Sequence, residues 1–220
     1  GYSRHVLPPP PSWASTHRFV TGYWTLPADP SWCPPPGLVE FLHAGPPPVC
    51  LGLSSTPGRD PDGRIALFIA AAHAARVRAV ILTGPSRRTR PDRVLGDDVY
   101  LTAAAPHSWL YPQVSAVVHH GGAGTTGSGL RAGLPTQILP HRADQSFWAA
   151  RVHALGVGPP AIPRRRLTVD RLATALRVLT RDWRMRERAA DLGALICEED
   201  GVGDAVGEIV RVRDQHRSTR

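Results

Sequence analysis

From Val49 onward, short apolar runs alternate with amphipathic stretches along the chain. The apolar runs predict buried strands, and the stretches between and after them predict helices with one apolar face. The predicted strands are Val49–Leu53, Ala79–Thr83, Val99–Thr102, Ser115–His119 and Thr136–Leu139, and the predicted helices are Asp62–Val77, a segment ending at Arg131, Asp144–Leu155, Thr168–Thr180, Asp182–Glu199 and Asp204–Arg213. Strands that alternate with helices indicate parallel β-α units, so we expect an α/β fold with a Rossmann-like, doubly wound parallel sheet.

The first 47 residues follow a different pattern. Proline clusters at Pro8–Pro11, Pro34–Pro36 and Pro46–Pro48 break any long regular element. Three tryptophans in this stretch indicate that it packs against another part of the chain. We therefore expect a proline-rich connector region over residues 1–47 and the Rossmann-like domain over residues 48–220.

Charge changes this picture little. The formal net charge is +8, and all 26 basic residues are arginines. Arginine runs at Arg87–Arg90 and Arg164–Arg166 lack the interleaved aromatic residues of a nucleic-acid-binding surface, so no nucleic-acid partner is expected.

The sequence also gives expectations about membrane insertion, cellular location and processing. The most apolar window, Ile65–Leu82, is interrupted by His73, Arg76 and Arg78, so no transmembrane helix is predicted. Three widely spaced cysteines fit neither a metal site nor a disulfide framework, which favours a cytoplasmic location. Because the chain starts at Gly1 and its one methionine is Met185, we expect the numbering to begin inside a longer reading frame or after processing.

A glycine-rich segment follows the fourth predicted strand, reading HHGGAGTT over residues 119–126. In an open α/β sheet, ligands bind outside the carboxyl ends of the strands. Small residues there allow close backbone approach, and the N–H groups of the helix that follows form an anion site. The other interpretation is a tight strand-to-helix turn that needs glycine only for its backbone conformation.

The same segment contains a G-x-G-x-x-G pattern at Gly122, Gly124 and Gly127, with Asp144 about twenty residues further on. This pattern is also found in dinucleotide-binding proteins, where it usually follows the first strand. A dinucleotide-dependent oxidoreductase is therefore an alternative.

Asp144 and Gln145 follow the fifth predicted strand. A neighbouring carboxylate and carboxamide can bind adjacent sugar hydroxyls. Asp144 can equally cap the helix that follows, and both roles can hold together.

The remaining strand-end loops offer weaker signals. Ser54–Thr56 can bind a diphosphate or form an ordinary hydroxyl-capped turn. Trp109 and His107 lie in a loop beside the same crevice, where Trp109 packs either against a base or in the core. His119, His120 and His141 lack the spacing of a zinc site, so no metal is expected.

Taken together, these segments resemble the carboxyl-terminal, donor-binding half of a GT-B glycosyltransferase of the UDP-glycosyltransferase-like family that includes sterol glucosyltransferases and antibiotic glycosyltransferases. The matching stretches cover nearly the whole chain: TGYW (Thr21–Trp24), PPPVCLGLSS (Pro46–Ser55), PHSWLYPQVSAVVHHGGAGTTGSGLRAGLPT (Pro106–Thr136), DQSFWAARVHALGVGP (Asp144–Pro159) and EEDG (Glu198–Gly201).

The resemblance implies a nucleotide-sugar site in residues 48–220, with UDP- or dTDP-hexose as the substrate and no further cofactor. It assigns the donor-sugar hydroxyls to Asp144 and Gln145. It assigns the nucleotide and its diphosphate to Ser55, His107, Trp109, His119, Gly121, Gly122, Ala123, Gly124 and Thr125. Two departures stand out: Ser54-Ser55 replaces the family's usual Gly-Ser, and Thr126–Ser128 replaces the ribose-binding Glu segment of plant members, which leaves the ribose unassigned.

In this family an amino-terminal domain binds the acceptor and supplies the catalytic base, usually a histidine. The chain starts at what resembles the interdomain connector, so no catalytic residue is assigned within it. The resemblance implies inverting transfer of the sugar to a hydroxyl of a lipid or natural product, through an acceptor half that we expect to be missing. Alone, the chain is expected to bind donor and transfer little. A further alternative is an inactive partner module that only binds sugar nucleotides.

Overall fold

The apolar runs form a six-stranded sheet in a computed structural model, which describes residues 1–13, 18–27, 29–52, 60–84, 92–142 and 144–218. The strands are β1 (Val49–Gly52), β2 (Ala79–Leu82), β3 (Arg93–Leu95), β4 (Val99–Thr102), β5 (Ala116–His119) and β6 (Thr136–Ile138). The helices are α1 (Pro36–His43), α2 (Pro61–Ala75), α3 (His107–Leu110), α4 (Ala123–Arg131), α5 (Gln145–Ala154), α6 (Val169–Arg181), α7 (Trp183–Cys197) and α8 (Gly201–Ser218), with short 3-10 turns at Pro11–Trp13, Tyr111–Gln113 and Arg164–Arg166.

The sheet has the strand order β3-β4-β2-β1-β5-β6. All neighbouring strands are parallel except β3, which is antiparallel to β4. The chain winds outward from β1 in both directions, so the order reverses between β1 and β5. A crevice at such a reversal is where open α/β sheets bind their ligands.

Helices cover both faces of the sheet, which explains why its strands are almost continuously apolar. Val49 and Leu51 of β1 face a core beneath α2 and α6, whereas Cys50 between them faces the opposite core. This alternation follows from the two-residue period of a strand. The predicted doubly wound α/β fold is therefore confirmed.

Helix starts follow side-chain caps that the sequence provides. Asp60 accepts the Gly63 N–H at the start of α2, and Thr168 accepts the Arg171 N–H at the start of α6. Asp182 caps α7 by accepting the Met185 N–H. The predicted starts of α6 and α7 are these caps, which stand one residue outside the helix. The largest difference is at α8, which extends three residues before and five residues beyond the predicted Asp204–Arg213.

Three elements were not predicted: α1, β3 and the short helix α3, which lies in an expected strand-end loop. Within the expected connector, α1 begins at a Pro35-Pro36 pair, which suits the first turn of a helix, and buries Leu38, Phe41 and Leu42. The short strand β3 leaves two of its three residues exposed, so it has no apolar pattern that would identify it.

Among the described residues, no helix combines the length and hydropathy that a membrane crossing requires.

Candidate functional site

A glycine turn links β5 to α4 at the reversal of the sheet. Gly121 has φ +90°, and a Cβ there would stand 2.6 Å from Cγ2 of Ile138, so only glycine fits. The Gly121 N–H donates to Nδ1 of His119 over 3.0 Å. This bond fixes the turn immediately before the helix begins.

The helix α4 starts without a side-chain cap. Its N-cap is Gly122, whose side chain is a hydrogen atom, and the first N–H groups of a helix have no intrahelical acceptor. A Cβ at Gly124 would meet nothing within 4 Å, so this part of the first turn is open. Free N–H groups and the positive end of the helix dipole make the turn suited to an anion.

Two imidazoles flank this helix start in different ways. His119 is 2% exposed, and its Nε2 is buried without a hydrogen-bond partner among the described residues. Burial, followed by His120 and His107, lowers the pKa of His119 to about 3, so the ring is neutral at pH 7. Since its Nδ1 accepts the Gly121 N–H, the proton lies on Nε2, which is a hydrogen-bond donor.

His120 is half-buried and lies over the turn itself. A Cβ at Gly122 would stand 2.5 Å from Nε2 of His120, so this nitrogen is close to the N-cap of α4. Burial lowers the pKa of His120, and the nearby Asp144 carboxylate partly opposes that shift. His119, which was predicted to contact the diphosphate, and its neighbour His120 are therefore both near the helix start, but their nitrogens differ in burial and bonding.

Asp144 and Gln145 lie at the start of α5, beside the glycine turn. The backbone oxygen of Gln145 is 3.2 Å from the position of a Cβ on Gly121. Asp144 occupies the N-cap position, but its side chain makes no capping hydrogen bond. Instead, its Oδ2 accepts the indole N–H of Trp148 over 2.8 Å, an arrangement that the sequence did not predict.

Gln145 orders its own loop. Its Oε1 accepts the backbone N–H of His141 at 2.7 Å and that of Arg142 at 3.1 Å. Its amide nitrogen, which can only donate, is the part of the side chain that these two bonds leave for a ligand.

A cleft of about 1000 Å³ opens beside α4. Its walls include Pro106, His107 and Ser108 on one side and Ala123, Gly124 and Ser128 on the other. The His107 ring stacks on Tyr111, with ring centroids 4.4 Å apart. Burial and His120 lower the pKa of His107, so this imidazole is also neutral at pH 7.

Trp109 is not among the residues that line this cleft. Its ring packs against Trp32, with centroids 5.1 Å apart, at the edge of the core beneath α1. The structure thus shows Trp109 packed against Trp32, and a contact with the nucleobase stays a prediction.

The cleft has a wall that sequence reasoning missed. Tyr23 and Trp24 line it, and the Tyr23 ring packs so closely on Gly127 that a Cβ there would be 2.6 Å away. Burial, and next the charge of Glu199, raise the pKa of Tyr23, whose hydroxyl has no partner among the described residues. The TGYW match was the available signal, but no role was attached to it.

Ser55, predicted to contact the diphosphate, lies outside the described residues, as do Ser54 and Thr56. The preceding strand β1 pairs directly with β5, so β1 ends next to the glycine turn. In the described part of the chain, no three His, Cys, Asp or Glu side chains are grouped in a way that could hold a metal ion.

Parallel α/β sheets with this arrangement occur in the carboxyl-terminal halves of GT-B glycosyltransferases. The fold matches the calicheamicin glycosyltransferase CalG4 with a TM-score of 0.63, at 23% identity over 87% of this chain and 47% of that one. It also matches Arabidopsis thaliana UGT89C1, solved with quercetin, with a TM-score of 0.66, at 19% identity over 84% of this chain and 48% of that one.

Residues 69–203, more than half of the chain, match the family described as erythromycin biosynthesis protein CIII-like, C-terminal domain, and the chain belongs to this family. It is 41% identical to a sterol 3-beta-glucosyltransferase of Neosartorya fischeri, over 96% of this chain and 15% of the relative. It is 39% identical to the O-mycaminosyltylonolide 6-deoxyallosyltransferase of Streptomyces fradiae, over 93% of this chain and 47% of the relative. The chain thus spans less than half the length of these relatives.

Membership of a glycosyltransferase family disfavours the oxidoreductase alternative. The last glycine of the G-x-G-x-x-G pattern, Gly127, is covered by the Tyr23 ring, and the turn follows β5 instead of the first strand.

Proposed function

We propose that this chain is the donor-binding half of a glycosyltransferase and binds a nucleoside diphosphate sugar. The observation that carries the proposal is the uncapped start of α4, where free N–H groups stand beside two imidazoles. Diphosphate oxygens would replace the water that these donors otherwise bind. The turn of Gly121 to Thr125 would hold the diphosphate, with His119 and Ser55 as further predicted contacts.

The rest of the donor would extend in two directions from this turn. The nucleoside would occupy the cleft between His107 and Ser128, whose volume of about 1000 Å³ exceeds the needs of a base and ribose. The sugar would lie over the start of α5, where the Asp144 carboxylate and the Gln145 amide nitrogen would bind its hydroxyls. UDP and dTDP donors both fit this arrangement.

We propose that the whole protein carries out inverting transfer from a UDP- or dTDP-hexose to a hydroxyl acceptor. The names of the relatives support a lipid or natural-product acceptor, since one is named for a sterol and another for O-mycaminosyltylonolide. The acceptor contacts and the catalytic base would come from the half to which this chain does not correspond. If the whole protein binds the donor but transfers no sugar, the inactive partner module is the correct interpretation instead.

Isothermal titration calorimetry tests the proposal directly. The chain should bind UDP or dTDP and the matching glucose conjugate with one site, and it should not bind NADH or NADPH. If neither nucleoside diphosphate binds, while a dinucleotide does, the proposed function is wrong.

A further inference from the structure

Four basic residues from three segments of the chain act on one another electrostatically near the carboxyl end of β6. His141 and Arg142 follow the strand, Arg64 lies in the first turns of α2, and Arg164 lies in the turn that follows Ile162. The positive charges of Arg64, Arg164 and Arg142 all act on the His141 ring. We call these residues, Arg64, His141, Arg142 and Arg164, the basic cluster.

The packing beneath the basic cluster explains why the four residues meet. Ile65, Leu139 and Ile162 belong to one hydrophobic cluster. Each stands within two residues of a member of the basic cluster along the chain. The backbone N–H of Ile162 also donates to the Ile138 oxygen, which holds the segment before Arg164 beside β6.

The basic cluster contains nitrogens that are buried and unbonded. Nε of Arg64 and both ring nitrogens of His141 have no hydrogen-bond partner among the described residues. Buried donors are nearly always paired in native proteins, because an unpaired one loses its bonds to water without replacement. These nitrogens therefore indicate a partner that the described residues do not supply.

No carboxylate neutralises the basic cluster. All 18 aspartates and glutamates are in the described ranges, and none of them forms an ion pair with Arg64, Arg142 or Arg164 there. Asp60 is close enough to act on Arg64, but its Oδ1 accepts the Gly63 N–H at 2.8 Å as the cap of α2. Burial and then Arg164 lower the pKa of Arg64, as expected for like charges held together.

The basic cluster lies beside the proposed sugar position, because the backbone N–H groups of His141 and Arg142 donate to Oε1 of Gln145. Arg64 and Arg164 act on His141, and so does His120, which lies over the start of α4. His141 and Arg142 directly precede the loop residues that lead to Asp144.

We propose that the basic cluster binds a carboxylate carried by the donor sugar, so that the preferred donor is a nucleoside diphosphate uronate. This inference rests on the proposed function and adds the substrate class. A sugar carboxylate would accept charge-assisted hydrogen bonds from the guanidinium of Arg64 and from the His141 ring. A neutral hexose would leave these donors without an anion.

Calorimetric titrations with three ligands test this proposal: UDP, UDP-glucose and UDP-glucuronate, with the corresponding thymidine series alongside. We expect the uronate donor to bind about tenfold or more tightly than the glucose donor, the gain typical of a charge-assisted bond. Arg64→Gln and the exposed Arg164→Gln should each reduce this preference to about twofold or less, and the affinity for UDP should change by less than about twofold. Arg181→Gln, an equal charge change at the exposed end of α6, should leave all three affinities unaltered.

Each other result contradicts the proposal in a recognisable way. Equal affinities for the uronate and glucose donors would refute the carboxylate site while leaving the proposed function intact. Equal losses for UDP and UDP-glucuronate in the Arg64→Gln and Arg164→Gln variants would assign the basic cluster to the diphosphate. Absence of binding by every ligand in both series would reject the proposed function and this site together.

Discussion

Individual side chains near α4 have roles that depend on single hydrogen bonds. His119 accepts the Gly121 N–H and so holds the turn that presents the helix start. His120 makes no such bond and lies over Gly122. Removing the His119 side chain would therefore disturb the turn that presents several backbone N–H donors. Removing the His120 side chain would delete at most one hydrogen-bond donor.

We accordingly expect His119→Ala to weaken nucleoside diphosphate binding more than His120→Ala does. Loss of one hydrogen bond to a charged group costs about 1.5–3 kcal/mol. His120→Ala should stay near or below that range, whereas His119→Ala also releases the turn. Titration calorimetry with UDP or dTDP compares the two variants, and a larger loss for His120→Ala would reassign the phosphate contact.

Asp144 and Gln145 permit a second comparison at this scale. We expect Asp144→Ala and Gln145→Ala to weaken binding of the intact sugar nucleotide by about 1–3 kcal/mol and to leave the bare diphosphate nearly unchanged. The reason is that both side chains stand one strand beyond the diphosphate turn.

Asp144→Asn is the matched control, because its amide oxygen can still accept the Trp148 indole N–H while the charge is lost. Calorimetry with and without the sugar, together with thermal unfolding, separates the roles. If Asp144→Asn keeps full affinity for the sugar nucleotide, Asp144 serves the packing of Trp148 and not the sugar.

At the scale of elements, the connection between β5 and α4 uses its glycines for two distinct purposes. Gly121 permits a positive φ and a close contact with Ile138, which concerns stability. Gly124 stands in open space on the first turn of α4, which concerns ligand approach. Structural and binding requirements are thus met by different glycines within one short segment.

This division predicts opposite effects for two alanine substitutions. Gly121→Ala should destabilise the fold by about 2 kcal/mol or more, since a left-handed φ and a contact of 2.6 Å must both be relieved. Gly124→Ala should leave stability unchanged or raise it slightly, because alanine is the better helix former, and should weaken diphosphate binding. Urea unfolding and calorimetry on both variants provide the test, and a stable Gly121→Ala protein would contradict it.

Elements were predictable where a local pattern determines them. The apolar runs placed β1, β2, β4, β5 and β6 within one residue at each described end, because a strand buried on both faces must be apolar throughout. The same reasoning could not find β3, whose place depends on pairing with β4, or α1, whose prolines suggested extended chain.

The sequence predicted where the site residues lie in the fold better than it predicted which side chains they contact. The strand-end rule brought His119, Gly121 and Asp144 to one edge of the sheet, where the structure also has them. The partners of Trp109 and Asp144 come from elsewhere, Trp32 in the first 47 residues and Trp148 one helical turn on. The orientation of a side chain toward such a partner depends on tertiary packing, which no local pattern contains.

At the scale of the whole molecule, the buried imidazole makes stability depend on pH. The pKa of His119 is lowered to about 3 in the folded chain, whereas an unfolded histidine titrates near 6.5. Between these values the unfolded state binds the extra proton, so stability is complete above about pH 6.5 and falls as the pH is lowered. The expected loss from His119 at pH 5 is about 2 kcal/mol, at 1.36 kcal/mol per pH unit.

Urea unfolding at pH 7.5 and pH 5 measures this loss. A His119→Gln variant should lose markedly less stability between the two pH values, because glutamine does not titrate. An identical pH dependence in the variant would show that other groups cause the acid destabilisation.

The same electrostatics bear on catalysis by the whole molecule. A general base works best when its pKa is near the working pH. Burial lowers the pKa of His107, His119, His120 and His141 alike, which makes these imidazoles weak bases. The histidines that surround the proposed donor site are thus suited to donate hydrogen bonds, and they are poorly suited to remove a proton from an acceptor hydroxyl.

We therefore expect the 220-residue chain alone to bind the donor but to transfer sugar at a rate close to the uncatalysed background. General base catalysis contributes about 10²–10⁴-fold, and positioning of the acceptor contributes more, so the absence of both should remove nearly all turnover. The assay measures transfer of radiolabel from UDP-glucose, UDP-glucuronate or dTDP-glucose to a sterol and to a macrolide acceptor. A homologous sterol glucosyltransferase, with UDP-glucose and the sterol, is the positive control. Robust transfer by residues 1–220 would mean that the chain contains its own base and acceptor site, and the assignment of the chain to donor binding alone would then be wrong.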